Sequence, residues 1–194
     1  MSTSYQKNID KTEIEKLSLF VFPGEVVVIE NAADAEEAVK SMERVQFLGF
    51  DTETRPAFQK GVVYSVSLLQ LSTEDKVYLF RLNKCGFGES LCRLLADQKI
   101  VKIGVAIRDD IKHLQRIKKF MPSSFVELQD FAPKYGIEDK AFSKLMAIIL
   151  GVRISKRQRT SNWDSDVLSE AQIRYAATDA WGSLKMYQHL VLSN

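Results

Sequence analysis

Two acidic side chains stand two positions apart at the end of an apolar run. Asp51 and Glu53 follow residues 47–50, which read Phe-Leu-Gly-Phe. Side chains at positions i and i+2 of a strand project from the same face, so both carboxylates would point together from the end of a buried strand. Like charges held so close are costly unless a cation lies between them, and carboxylate oxygens suit Mg²⁺ or Mn²⁺. A solvated strand end is the more common meaning of this short motif, so a metal site needs further ligands.

A second acid-bearing pattern lies near the C-terminus. Tyr175 and Asp179 are four positions apart, which places a phenol and a carboxylate on one face of a helix. The alanines at positions 176, 177 and 180 would let this helix approach a neighbouring element closely. The alternative interpretation is a surface aspartate beside a core tyrosine. A carboxylate next to an alanine-lined packing surface is unusual and requires an explanation.

Two adjacent aspartates, Asp109 and Asp110, follow a short apolar stretch that ends at Gly104. Both fall in the first turn of a predicted helix, where acids complement the positive end of the helix dipole. That explanation is sufficient for Asp109. Asp110 adjoins the apolar stripe of Ile107 and Ile111, so it could face the edge of the sheet instead.

Positive charge is concentrated locally, although the net charge of +2 does not by itself indicate a nucleic-acid partner. Phosphate contacts need clusters of cations, and a solvated surface is the plainer meaning of such clusters. Beside an acidic metal site, Lys156, Arg157 and Arg159 become candidates for binding phosphates. Trp163, a little further on, is either a packing anchor or a base-stacking contact. Two segments contain only basic charges: residues 112–119, with Lys112, Arg116, Lys118 and Lys119, and residues 153–159, with Arg153, Lys156, Arg157 and Arg159. We call residues 153–164 the basic loop.

Hydrophobic patterning predicts the elements that position these side chains. Three antiparallel strands followed by helix-linked strands predict an α/β fold with a mixed central sheet flanked by helices. The turn between the second and third of these strands is expected at residues 73–75, and Ser169 with Gln172 has the spacing of a helix-capping box. Strands are predicted over residues 26–29, 45–51, 62–71, 76–82, 100–103 and 126–128, and helices over residues 33–42, 89–96, 107–119, 141–150 and 169–192, with a further helix ending near residue 136.

Length and composition predict one domain over residues 21–194, preceded by a partly docked tail over residues 1–20. Docking of the tail is expected at residues 17–22. Cys85 and Cys92 have no grouping of cysteine and histidine around them, so thiols are expected rather than a zinc site. The polar N-terminus lacks the pattern of a secretory signal and no apolar run is long enough to span a bilayer, so we expect a cytoplasmic protein without a membrane partner.

The order and spacing of these motifs resemble the DnaQ-like, or DEDD, superfamily of 3′–5′ exonucleases, in the subclass with a tyrosine in its third motif. The likeness is greatest to the exonuclease domain of the Werner syndrome helicase, with ribonuclease D more distant. It extends from about residue 26 to the C-terminus. The motifs that carry it are Phe50-Asp51-Thr52-Glu53, Leu68-Leu69-Gln70-Leu71, Lys102 to Asp110, Ser161-Asn162-Trp163, and Tyr175 to Ala180.

The resemblance implies a ribonuclease H-like fold and a two-metal-ion hydrolysis of phosphodiester bonds, with Mg²⁺ or Mn²⁺ as cofactor. Alignment on Gly104 selects Asp110 over Asp109 as a motif acid. The ions would be held by Asp51, which bridges them, by Glu53 and Asp179 on the side of the nucleophilic water, and by Asp110 at the second ion. Tyr175 is expected to orient the water, because a phenol with a pKa near 10 is a poor general base at neutral pH.

The implied substrate is single-stranded or 3′-recessed nucleic acid, with DNA slightly favoured. A ribonuclease D-like exoribonuclease is the first alternative. A nucleic-acid-binding module without activity is the second, and it is weakened by the presence of all five residues of the motifs. An unrelated α/β domain whose acids coincide by chance is the least favoured interpretation.

Overall fold

A six-stranded mixed sheet forms the centre of the computed structural model, which describes residues 5–59 and 61–192. Its strand order is β1-β4-β3-β2-β5-β6. The strands are β1 (Glu25–Ile29), β2 (Phe47–Thr54), β3 (Val66–Ser72), β4 (Lys76–Arg81), β5 (Val101–Gly104) and β6 (Phe125–Glu127). The prediction of a mixed central sheet is confirmed.

Strands β2, β3 and β4 pair in antiparallel fashion, and β1, β5 and β6 each run parallel to a neighbour. All seven residues of β3 are buried, as expected for a strand covered on both faces. The carboxyl end of β2 carries Asp51 and Glu53, and its pairing with β3 shifts register between Glu53 and Thr54. Such an irregularity re-aims the chain at the end of a strand.

Helices cover both faces of the sheet. They are α1 (Lys11–Lys16), α2 (Ala32–Met42), α3 (Leu82–Cys85), α4 (Glu89–Ala96), α5 (Ile107–Ile117), α6 (Leu128–Phe131), α7 (Phe142–Leu150) and α8 (Glu170–Leu192), with a short 3₁₀ helix at Ala132–Tyr135. The predicted capping box at the start of α8 is confirmed. The Gln172 amide donates to Ser169 Oγ, and the Ser169 amide donates to Gln172 Oε1.

The longest helix, α8, lies very close to β2. A Cβ atom added at Gly49 would overlap the carbonyl oxygen of Ala180, so only glycine fits at this crossing. Ala176, Ala177 and Ala180 have no exposed surface. Small residues on both elements therefore bring the tyrosine and the acid of α8 up to the acids of β2.

The N-terminal segment is more structured than its sequence predicted. Helix α1 begins with a capping box between Asp10 and Glu13. Residues 17–24, which we call the strap, then run along the domain: the Phe20 amide donates to the Arg153 carbonyl at 2.8 Å, and the Phe22 amide donates to Thr178 Oγ1 at 3.0 Å. The docking expected for residues 17–22 is thus present.

Both cysteines are buried free thiols, as expected. Within the described residues, none of the helices combines the length and hydropathy needed to cross a bilayer.

Candidate active site

Three carboxylates from two elements meet at the carboxyl end of β2. Asp51 and Glu53 project from β2 and Asp179 from α8, and one carboxylate oxygen from each lies within 4.8 Å of the other two. We call these three residues the acid cluster. The expected pairing of two strand acids with one helix acid is therefore present in the structure.

The acid cluster is electrostatically unfavourable without a counter-charge. Burial, together with the nearby Asp179 and Glu53 carboxylates, raises the pKa of Asp51 well above its usual range. Burial, with Asp179 and Asp110 nearby, likewise raises the pKa of Glu53. Asp179 Oδ1 is buried and, among the described residues, lacks a hydrogen-bond partner. A divalent cation would relieve both the repulsion and the unpaired oxygen, so the cluster could hold a metal ion.

Tyr175 lies one helical turn before Asp179, and both side chains line the cavity at the acid cluster. Burial, and then the charges of Asp179 and Glu53, raise the pKa of Tyr175 above its usual value. The phenol therefore stays protonated at neutral pH, where it could donate a hydrogen bond but would be a poor base.

Asp109 and Asp110 occupy different environments. The Asp109 side chain is 77% exposed and pairs with Lys112 at 2.8 Å on the solvent side of α5. Asp110 is turned towards the sheet, where Thr52 Oγ1 donates to its Oδ1 at 2.6 Å. Burial raises the pKa of Asp110 to about 6. Asp110 lies next to the acid cluster but is not among the three carboxylates that converge.

The helix that carries Asp110 is fixed at its start by Glu127, a residue that the sequence analysis missed. The Ala106 and Ile107 amides donate to the two carboxylate oxygens of Glu127, at 2.9 and 2.8 Å. Ala106 adopts a left-handed conformation with φ of 61°, which is strained for a residue with a Cβ atom. Since Glu127 is about twenty positions away in the chain, no local pattern could have identified this cap.

A cavity of about 260 Å³ opens onto the acid cluster. Besides the three acids, Tyr175, Lys156 and Arg159 line it. Arg157 lines a neighbouring cavity that also reaches Tyr175 and Asp179. The structure thus places the three predicted cations of the basic loop around the acids, where they could meet the phosphates of a bound strand.

Trp163 has no exposed surface, so the prediction that it contacts nucleic acid is wrong. Its ring packs against that of Tyr175, with 6.1 Å between centroids, and lies in a buried apolar cluster. Trp163 is the packing anchor that the sequence analysis gave as the alternative.

The segment after Trp163 is held by Arg81, a second residue that the sequence analysis missed. The Arg81 side chain is 1% exposed and donates to the Ser165 carbonyl, and at 2.6 Å to the Asp166 carbonyl. It also pairs with Glu30 at 2.7 Å. Arg81 therefore fixes the path of the chain from the basic loop into α8.

Comparison with known proteins agrees with this arrangement. Residues 26–193 match the family model described as "3'-5' exonuclease". The chain is 33% identical over 200 residues to the "Bifunctional 3'-5' exonuclease/ATP-dependent helicase WRN" of Mus musculus, covering 97% of this chain and 14% of that protein. It is 31% identical over 169 residues to "Ribonuclease D" of Gluconacetobacter diazotrophicus, covering 85% of this chain and 42% of that protein.

Among solved structures, the Nibbler EXO domain of Aedes aegypti superposes with a TM-score of 0.82 at 22% identity, covering 90% of this chain and 92% of that one. This likeness shows the ribonuclease H-like fold of the DnaQ-like exonucleases. The chain spans less than half the length of the two curated relatives described above. With acids from β2 and α8 brought together on this fold, the chain belongs to the DnaQ-like family of 3′–5′ exonucleases.

Proposed function

We propose that this chain removes nucleotides from the 3′ end of single-stranded or 3′-recessed nucleic acid with two divalent metal ions, Mg²⁺ or Mn²⁺. The observation that carries the proposal is the convergence of Asp51, Glu53 and Asp179 within 4.8 Å, with Asp110 beside them. The relatives supply the polarity of the reaction and its substrate class, since they bear the names of 3′–5′ exonucleases and of a ribonuclease.

The four carboxylates divide between the two ions. Asp51, Glu53 and Asp179 lie within 4.8 Å of one another, and we assign Asp51 as the ligand that both ions would share. Glu53 and Asp179 complete the first site, and Asp110 supplies the second from α5. Two ions at such a site lower the pKa of an attacking water and stabilise the charge that develops on the phosphate and on the leaving oxygen.

The remaining side chains around the cavity act on the substrate. Tyr175, as a protonated phenol, orients the attacking water by a hydrogen bond. Lys156 and Arg159 line the cavity and bind the backbone phosphates next to the scissile bond. Arg157 lines the neighbouring cavity and contributes to the electrostatic attraction of the strand.

DNA is slightly favoured as the substrate, because the more similar of the two curated relatives described above is the exonuclease-helicase. The alternative is an exoribonuclease, which the likeness to ribonuclease D favours. The 2′-hydroxyl is the group that distinguishes the two substrates, and the chemistry at the four carboxylates is the same for both.

The proposal is tested with matched DNA and RNA strands that carry a label at the 5′ end or at the 3′ end. We expect the 5′-labelled strand to give a ladder that shortens with time, and the 3′-labelled strand to release labelled mononucleotide at once. Activity should need Mg²⁺ or Mn²⁺ and stop with EDTA. Binding of both strands without cleavage under every metal condition would contradict the proposal.

A further inference from the structure

Gln70 carries an uncharged amide into the buried interior of strand β3. Its side chain has no exposed surface, and all the residues of β3 are buried. Among the described residues, neither the amide nitrogen nor the amide oxygen of Gln70 has a hydrogen-bond partner. Buried polar groups are nearly always hydrogen-bonded, because an unpaired one loses its bonds to water and gains none in return. Gln70 therefore weakens the fold, and its presence needs a reason other than stability.

The pairing of β2 with β3 places Gln70 directly opposite Asp51. The two residues are register partners in this antiparallel pair. Directly opposite residues of an antiparallel pair project from the same face of the sheet, with their Cβ atoms about 4.5–5.5 Å apart. On that face Asp51 meets Asp179 of α8. The Gln70 side chain thus lies on the α8 side of the sheet, next to the acid cluster.

Gln70 can serve the site only through another residue, because its side chain has no exposed surface with which to touch a substrate. A glutamine is long enough to reach the carboxylate of the residue opposite it by rotation about its side-chain bonds. Carboxylates that bind metal ions are commonly held by a hydrogen bond from a neighbouring group, which fixes their orientation. A hydrogen bond donated to a charged carboxylate is also stronger than one between neutral groups. Holding Asp51 is therefore a role that would offset the burial of the Gln70 amide.

We propose that Gln70 is a positioning residue, whose amide donates a hydrogen bond to the Asp51 carboxylate when metal ions are bound and so fixes the orientation in which Asp51 meets them. This inference rests on the proposed function, because it takes Asp51 as a metal ligand. It adds β3 to the elements that build the site, although none of the described residues that line the acid cavity belongs to β3.

The test compares Gln70→Met with Ser72→Ala, a matched control. Methionine is unbranched like glutamine and has no amide. Ser72 is a buried polar residue two positions further along β3, and it pairs with Gly49 rather than with an acid.

Stability and metal affinity should change in opposite directions in Gln70→Met. Its melting temperature in EDTA should equal or exceed that of the parent protein, because an unpaired buried amide has been removed. Mn²⁺ binding, measured by electron paramagnetic resonance without substrate, should weaken about 10–100-fold, the usual effect of losing a hydrogen bond to a metal ligand. Ser72→Ala should bind Mn²⁺ like the parent protein.

Steady-state cleavage of a single strand gives a second readout. At a fixed high concentration of Mg²⁺, the kcat of Gln70→Met should fall about 10–100-fold. Its KM for the strand should stay unchanged, because Gln70 does not touch the substrate. Gln70→Leu also lacks the amide and should show the same losses, and it replaces the methionine variant if that variant does not fold.

A folded Gln70→Met with the Mn²⁺ affinity of the parent protein would overturn the proposal. Equal losses of Mn²⁺ affinity in Gln70→Met and Ser72→Ala would also overturn it, since the effect would then come from the packing of β3. If the parent protein binds Mn²⁺ but cleaves no strand, the proposed function is contradicted, and the comparison of Mn²⁺ affinities still decides the role of Gln70.

Discussion

Asp109 and Asp110 are adjacent in the chain and differ in what surrounds them. Asp110 is turned inwards and held by Thr52, while Asp109 pairs with Lys112 at the surface. We expect Asp110→Asn to lower kcat by at least about a hundredfold, because it removes a metal ligand worth several kcal/mol in the transition state. Asp109→Asn should change kcat less than about threefold, since exposed ion pairs contribute little.

Steady-state cleavage of a single strand in saturating Mg²⁺ measures both variants, with a melting curve to show that each is folded. Equal losses in the two variants, or a larger loss in Asp109→Asn, would contradict the assignment of Asp110. The sequence alone left these residues as rivals, because both fit the first turn of a helix. The burial of Asp110 and its hydrogen bond from Thr52 on β2 distinguish it from the exposed Asp109.

Helix α8 and the strap are held together by hydrogen bonds and by a contact between aromatic rings. Thr178 Oγ1 accepts from the Phe22 amide and donates to the Arg174 carbonyl at 2.7 Å, and Phe20 stacks on Trp181 with 4.9 Å between ring centres. Tyr175 and Asp179 are next to these anchor points on the same helix. The strap thus holds the part of α8 that presents them to β2.

Thr178 is the α8 residue that accepts a hydrogen bond from the Phe22 amide of the strap. Thr178→Val keeps the shape of the side chain and leaves the Phe22 amide unpaired in a buried site, at a cost of about 1–3 kcal/mol. We expect a lower melting temperature and a kcat reduced several-fold, with weaker Mn²⁺ binding measured by electron paramagnetic resonance. Thr178→Ser keeps the hydroxyl and should restore all three quantities. If the valine variant matches the parent protein, the strap has no part in positioning α8.

Elements with a local signal could be predicted from the sequence, and those that depend on distant partners could not. The capping box of Ser169 and Gln172 and the alanines of α8 are local, so this helix and its close packing were both predicted. The strap binds Arg153 and Thr178, which lie more than 130 positions away. Trp163 had two possible roles in sequence, and only its burial against Tyr175 excludes contact with substrate.

The whole molecule has a net charge of only +2. Attraction of a polyanion therefore depends on where the cations lie on its surface. Lys156 and Arg159 stand at the acid cavity. We expect the double variant Lys156→Gln, Arg159→Gln to bind a single strand with a weaker dependence on salt. The slope of the logarithm of the binding constant against the logarithm of salt concentration should decrease in magnitude by roughly 0.7 for each lost phosphate contact. Lys11→Gln, on α1, is the matched control and should leave the slope unchanged. An unchanged slope in the double variant would show that these cations do not bind phosphates.

The stability of the metal-free protein should depend on pH because its buried acids favour the protonated form. Asp110 has its folded pKa raised to about 6 from a usual value of 3.8, so its contribution to stability is fully present below the lower value and is lost as the pH rises through the higher. The pKa values of Asp51 and Glu53 are also raised, which extends the loss to higher pH.

Melting temperatures in EDTA should therefore fall as the pH rises from about 4 to about 8, apart from any general acid unfolding. Mg²⁺ should restore stability most at the high end, where the carboxylates are charged and bind it best. Asp51→Asn removes one of the repelling charges, so the melting temperature in EDTA should depend less on pH in this variant. If Mg²⁺ raised the melting temperature by the same amount at about pH 4 and at about pH 8, the buried clustering of these carboxylates would be contradicted.

The most direct test of the central claim is time-resolved cleavage of a 5′-labelled single strand by Asp51→Asn beside the parent protein. Asp51 is the acid that we place between the two ions, and asparagine preserves its shape. The account predicts a metal-dependent ladder from the parent protein and a rate lower by at least about a hundredfold from a folded Asp51→Asn. Full activity of the folded variant would contradict the assignment of this site as the catalytic centre.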